Sequence, residues 1–270
     1  MRLEILGSGT SHGIPVIGCN CSVCTSADPR DTRYRASAWI RPKNNSEKPS
    51  ILIDCGPEFR LQALRAGMQN LDAVLLTHSH ADHVHGLDDL RIFSYKTSLP
   101  IYLEKYCAED IKKRFSYVFT HAYEGGGIPH FSLHVIEDSN PVFYLKGVRI
   151  EAIPLIHGRI IDFGWRIKNT AYLTDCNFIP DSSFEKLKGL KNLIIDGLRV
   201  RKHITHFCFA ESLDAIKRIA PQKAWLTHIC HDVSHKEICA IIEEAQQNDP
   251  ELAKIKISPA YDGLIIDDLD

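Results

Sequence analysis

Residues 77–91 read THSHADHVHGLDDLR, in which Ser79 and Ala81 separate His78, His80 and the pair Asp82–His83. In a tight loop after a strand, His78 and His80 can face one metal ion while Asp82 and His83 face another. Imidazole nitrogen with carboxylate oxygen suits zinc, manganese or iron. A second concentration is CNCSVC, with Cys19, Cys21 and Cys24 inside six residues. The chain has nine cysteines, an odd count, and three so close together do not suit a disulfide framework in 270 residues. Thiolate metal ligands in a reducing cytosol are the better reading. A third is LTHICHDVSH, residues 226–235, where His228 and His231 lie three positions apart and His235 follows. With 14 histidines in the chain, this last stretch taken alone leaves open whether it holds one metal, two or none.

The elements around these residues give them a common place. RLEIL, SILIDCG, DAVLLTH, IEAIPLIH, AYLTDC, NLIIDG, AWLTHI and GLIIDD read as strands, several of them nearly continuous apolar runs buried on both faces. Asp54, His78, His157, Asp175, Asp196 and His228 each follow such a run directly. A buried strand does not call for an acid or imidazole at its end, whereas functional residues of α/β sheets gather there. Six cases point to one shared site.

Helical patterns alternate with the strands. PEFRLQALRAG predicts a helix with Pro57 in its first turn and Gly67 as its stop. Ser234 and Glu237 form a capping-box pattern before a face of Ile238, Ile241, Ile242 and Ala245, and His235 at that helix start is expected to be solvated. Residues 121–147 read as a long loop or lid followed by a strand, in which Gly125, Gly126 and Gly127 serve either close approach to a ligand or simple loop flexibility. No repeat, linker or boundary interrupts the chain, so layered α/β architecture in one domain, 1–270, is expected.

Hydrophobic residues make up 44% and charged residues 24%, and the formal net charge is −2. That balance argues against a long nucleic-acid partner, which favours a basic surface, but a small anionic substrate needs only a local basic pocket. The start, MRLEILGSGT, shows no secretory signal, and no apolar run approaches the roughly 20 residues of a spanning helix. A cytoplasmic protein without a membrane partner is expected.

Across essentially the whole chain the sequence resembles the metallo-β-lactamase superfamily, whose binuclear motif is H-x-H-x-D-H with later His, Asp and His ligands. Within it the chain is most similar to the PhnP-type cyclic phosphodiesterases, relatives of RNase Z. GSGTSHGIP, CNCSVC, THSHADHVHGLDDLR, RFSYVF…GGGIP, DGLR…HITHF, LTHICHD and PAYDG carry that closer likeness. The resemblance implies an αββα sandwich of two mixed sheets flanked by helices. It implies one metal on His78, His80 and His157, a second on Asp82, His83 and His228, Asp175 bridging the two, and Asp54 orienting ligands. Cys176, adjacent to Asp175, would point to the opposite face. It also implies a separate structural zinc on Cys19, Cys21, Cys24 and His231, a closed tetrahedral site. His228 and His231 would then serve different metals.

Two metals roughly 4 Å apart make hydroxide available near neutral pH and stabilise charge on a phosphoryl oxygen. His206, in HITHF, matches the family's proposed general acid and joins Asp82 and Asp54 as a catalytic candidate; His203 is a weaker one. Arg33, Arg35, Arg91, Arg199, Arg201 and Lys202 lie near the motifs, with none singled out for phosphate. The expected function is hydrolysis of a small cyclic phosphate, 5-phosphoribosyl 1,2-cyclic phosphate being the first to test, with two divalent ions (zinc or manganese) and one structural zinc. An RNase Z-like nuclease, a carboxyl-ester, thioester or lactam hydrolase, and a protein using its metals only for structure or regulation are the alternatives; a homodimer is open.

Overall fold

The apolar runs assemble into two stacked sheets in the computed structural model, which describes residues 1–43, 47–120, 127–137, 139–267 and 269. The first sheet runs β14 (Ile265–Asp267), β1 (Arg2–Gly7), β2 (Ser37–Arg41), β3 (Ile51–Ile53), β4 (Ala73–Leu75), β5 (Leu99–Leu103), β6 (Phe131–Val135). The second runs β13 (Lys256–Pro259), β12 (Lys223–Thr227), β11 (Asn192–Asp196), β10 (Thr170–Leu173), β9 (Ile160–Ile167), β8 (Val148–His157), β7 (Val142–Leu145). Both are mixed: β3 to β6 and β10 to β13 are parallel, and the remaining pairs are antiparallel.

Leu3, Ile5, Ile40 and Ile53 from one sheet meet Ile150, Trp165, Tyr172 and Ile194 from the other to fill the space between them. Outside the first sheet pack α1 (Phe59–Ala66), the short α2 (Ala81–Val84) and α3 (Arg91–Ser94), α4 (Lys105–Arg114) and α5 (Ser116–Phe119). Outside the second lie α6 (Asp181–Lys186), α7 (Phe209–Ile219) and α8 (His235–Asn248). The result is the αββα sandwich expected from the sequence. No helix among the described residues is long and apolar enough to cross a membrane.

The differences from the sequence reading are local. β2, β5, β9 and β13 are strands that the apolar pattern of the sequence does not show. β9 carries Asp162 and Gly164 in its middle and β5 carries Pro100, which hide the apolar pattern. Between 121 and 147 there are two strands, β6 and β7, rather than one; Gly125 and Gly126 lie outside the described residues. Gly127 lies against the Tyr95 ring, which a Cβ there would meet at 3.2 Å. α1 starts at Phe59, two residues after Pro57, and ends on Gly67 with φ 65° as expected. The Ser234–Glu237 capping box is present. His235, however, is not solvated: it is 4% exposed, its amide donates to Asp31 Oδ1 at 2.6 Å, and its ring stands edge-on to Tyr261. A capping box marks where a helix starts, not which way its first side chain faces.

Three ties fix the end of the sandwich where the parallel strands finish. Phe163 N donates to Thr77 O at 3.0 Å, joining the two sheets beside His78. Asp262 of the PAYDG motif accepts from the Ser8 amide and hydroxyl, each at 2.8 Å, and from the Tyr34 amide at 2.8 Å. Ile229 bonds the same loop in both directions, its amide to Ser8 O at 2.9 Å and its carbonyl to Thr10 N at 3.1 Å.

Candidate metal centres

Three of the six strand-end residues are turned inward by their own backbone. Asp54, Asp175 and His228 have φ of 58°, 50° and 58°, left-handed values that Asp and His tolerate better than most side chains. All three follow buried strands, so the chain bends sharply as it leaves the sheet and the side chain enters the space above it. Backbone strain of this kind concentrates at functional sites. The loop bearing Asp82 and His83 fits there only because of two glycines. A Cβ on Gly56 would lie 2.2 Å from Asp82 O, and one on Gly86 would lie 2.1 Å from Gly56 O.

The structure brings together His78, His80 and His157 as one group and Asp82, His83, Asp175 and His228 as another. Their donor atoms are close without being hydrogen-bonded. His83 Nε2 lies 3.2 Å from Asp82 Oδ2 and 3.4 Å from Asp175 Oδ1. His228 Nε2 is 3.3 Å and His78 Nε2 3.8 Å from Asp175 Oδ2. Asp175 thus stands between the two groups.

The far nitrogens set the tautomers. His83 Nδ1 is 2.7 Å from Asp54 Oδ2, and Asp54 is itself fixed by the Thr77 amide and hydroxyl, both at 2.9 Å. His157 Nδ1 donates to Thr205 O at 2.8 Å. A proton on Nδ1 leaves Nε2 as a lone-pair donor facing the site. The Nε2 atoms of His78, His83 and His228 are buried without a hydrogen-bond partner. Buried lone pairs opposite carboxylate oxygens repel unless a cation lies between them. Two donors bound at zinc–nitrogen or zinc–oxygen length and tetrahedral angle lie about 3.3 Å apart, close to the spacings found. The residues present therefore fit a pair of divalent ions.

Electrostatics agree. Burial alone would raise the Asp82 and Asp175 carboxyls; the His83 and His228 imidazoles outweigh it and hold both below the usual carboxylate range. Burial lowers His83, yet Asp175, Asp82 and Asp54 together raise it well above the ordinary imidazole value. Negative charge from three carboxylates thus converges on the His83 imidazole.

Cys19, Cys21 and Cys24 converge on His231, each Sγ 3.5 Å from Nδ1. A tetrahedral zinc with ordinary sulfur and nitrogen bond lengths separates those atoms by about 3.5 Å. The Cys24 amide and the His231 ring bring the Cys21 thiol down to about 6. His231 and His228 thus belong to different groups, although three positions apart.

His206 sits between the two active-site groups. Its ring centroid is 4.8 Å from that of His157 and 4.7 Å from that of His228, stacked on the latter. Nδ1 meets Asp196 Oδ2 at 2.9 Å, and Asp196 is also bound by the Cys176 amide at 2.9 Å. Burial lowers His206, but Asp196 outweighs it and pushes the imidazole up to about 9. The sequence marked Asp196 as a strand-end acid and assigned it no role. His203 is half-buried, and its Nδ1 accepts from Thr205 N and faces Thr205 Oγ1 at 3.1 Å, so it shapes the loop that carries His206. Cys176 is buried in the core beneath the second sheet, on the face away from the site.

A cleft of about 290 Å³ opens onto these groups, with Ser11, Ile160, Thr205 and His206 in its wall. A larger groove of about 470 Å³ beside α1 carries none of the candidate ligands. The six cations near the motifs all have partners: Arg33 with Asp31, Arg35 with Glu58, Arg91 with Asp88, Arg201 with Asp232, Lys202 with Glu211, and Arg199 with the carbonyls of Arg201 and Lys202. Asp162 escaped the sequence reading altogether. It is fully buried, neither oxygen has a partner, and burial drives its carboxyl well above the usual range.

Residues 50–229 match the family model of the β-lactamase superfamily domain. Over 99% of its length the chain is 39% identical to an octanoyltransferase from Porphyromonas gingivalis, of which it spans only 52%, about half. A ribonuclease Z from Bacillus velezensis is 26% identical over 73% of the chain and 62% of its own length. Among solved structures, a diphosphatase of the PhnP family superposes with a TM-score of 0.84 at 35% identity, over 98% of this chain and 97% of that one.

Proposed function

The chain belongs to the metallo-β-lactamase superfamily, close to its PhnP family; from that footing we propose that it is a metallo-hydrolase acting on a small phosphodiester, with a sugar cyclic phosphate as the first candidate. His78, His80 and His157 would hold one divalent ion and Asp82, His83 and His228 the other, with Asp175 shared. When bound, such a pair lowers the pKa of water toward neutrality and offsets charge on phosphoryl oxygens.

The chain's own side chains supply the rest. Asp54 and Thr205 O fix the imidazoles that face the ions, so ligand geometry is set before metal arrives. Cys19, Cys21, Cys24 and His231 would hold a zinc closed to substrate. The cleft's size supports a small phosphate ester. The observation that carries the reading is His206: it touches a ring from each metal group, and Asp196 favours its protonated form. An alkoxide leaving a diester needs that proton, and a general acid contributes about 10²- to 10⁴-fold.

A relative of which the chain spans about half is named for octanoyl transfer, so acyl chemistry, tested as hydrolysis of an acyl thioester, is the second reading. A thiolate leaves without a proton, so His206 would have no task there. Metal-loaded protein offered 5-phosphoribosyl 1,2-cyclic phosphate, nucleoside cyclic phosphates, precursor tRNA and an acyl thioester separates the readings. Preference for the sugar cyclic phosphate is expected; turnover of the thioester alone would refute a phosphodiesterase.

A further inference from the structure

Arg33 is the largest charged side chain fully withdrawn from solvent among the described residues, with 0% exposure, and it belongs to none of the three metal groups. Its guanidinium donates from Nη1 to Cys230 O at 2.7 Å and from Nη2 to Val233 O at 3.3 Å and Asp31 Oδ1 at 2.9 Å. Those two carbonyls flank His231. Its backbone pairs in both directions with Ile14, each N···O distance 2.8 Å, where the chain enters the CNCSVC loop. Asp31 extends the contact: Oδ1 also accepts the His235 amide at 2.6 Å, and Oδ2 accepts the Ser26 hydroxyl at 2.7 Å, just past Cys24.

The two halves of the thiolate group come from distant segments, since His231 follows Cys19, Cys21 and Cys24 by 212, 210 and 207 positions. Ile229 pairs with Ser8 and Thr10 through backbone alone, two residues before His231; among the described residues, the bond from a cysteine side chain to this loop, Cys21 Sγ to His231 O at 3.8 Å, is a weak one. A flexible histidine loop would have to be ordered at the moment of metal binding, at a cost in affinity. A buried guanidinium that already gathers the carbonyls on both sides of His231 removes that cost.

We propose that Arg33, with Asp31, is a positioning residue for the thiolate centre: it holds His231 opposite the three cysteines before zinc binds. The inference rests on the assignment of Cys19, Cys21, Cys24 and His231 to one zinc. Removing one member of a buried ion pair leaves an uncompensated charge, whereas removing both is often nearly neutral for stability. The test therefore uses the double variant Arg33→Met with Asp31→Asn, and Arg33→Lys, which keeps the charge but not the fork.

Zinc affinity of the thiolate centre is measured by chelator competition at a temperature where each protein is folded. Cobalt loading gives a second readout, because thiolate-to-cobalt charge-transfer absorption reports the ligand geometry. The double variant should unfold near the native temperature yet lose zinc about tenfold more readily, the low end for outer partners of metal ligands, with altered cobalt absorption. Arg33→Lys should show a smaller loss and decides the matter if the double variant does not fold. Native zinc affinity and native cobalt absorption in the folded variants would overturn the proposal. Failure of the native protein to bind zinc or cobalt through thiolates would instead remove the centre itself.

Discussion

Asp196 Oδ2 lies 2.9 Å from His206 Nδ1, on the side of the ring away from the cleft, and this pairing decides whether the imidazole carries a proton. Without the acid, burial would leave His206 neutral. With it, the imidazole is pushed up to about 9, and neighbouring divalent ions would draw that value down. Turnover of a diester with an alkoxide leaving group should therefore fall on an alkaline limb between the ordinary histidine value and about 9. In Asp196→Asn that limb should move to lower pH, as read from kcat against pH. An unmoved limb would mean that another group titrates.

The thiolate centre has a distinct readout. Cys21→Ala should lose one zinc per chain and unfold at lower temperature, while the two active-site ions remain. Elemental analysis with thermal unfolding checks both; a full metal complement would remove the four-residue assignment.

Asp175 faces both metal groups, 3.3 Å from His228 Nε2 and 3.8 Å from His78 Nε2. Asp175→Ala should deplete both active-site ions, nearly abolish turnover and spare the thiolate zinc. Retained activity would place the bridge on another residue.

Asp162 gives a stability prediction. Its carboxyl titrates well above the ordinary value in the folded chain but near it when unfolded. Above the unfolded value the unfolded state holds fewer protons, so this group reduces stability progressively as pH rises toward its folded value. Asp162→Asn removes the titration and should raise the unfolding temperature at pH 8 more than at pH 5. A gain independent of pH would point to packing instead.

Much of this site was legible because metal chemistry constrains spacing. His78, His80, Asp82 and His83 are close in sequence, and strand ends flagged Asp54, His157, Asp175 and His228. The resemblance then sorted His228 from His231, which spacing alone left open. What escaped depends on contacts across the chain. Nothing in NLIIDG shows that Asp196 meets His206, ten residues on around a turn. Nothing in RYRAS shows Arg33 buried against Cys230. Asp162 interrupts an apolar pattern, so it concealed β9 as a strand and its own burial at once. His235 was misplaced for a similar reason: the cap fixes the helix start, but packing on Asp31 and Tyr261 decides the face.

A His206 that protonates a leaving oxygen at a two-metal site must make turnover depend on the basicity of the leaving group. His206→Ala, fully loaded with metal, should be compared with the native protein on a sugar cyclic phosphate and on a p-nitrophenyl diester. A ribose alkoxide is strongly basic, whereas p-nitrophenolate departs unprotonated, so the loss on the first should reach about 10²- to 10⁴-fold and on the second remain small. Equal losses on both substrates at unchanged metal content would contradict the assignment, and loss of metal would make His206 a ligand.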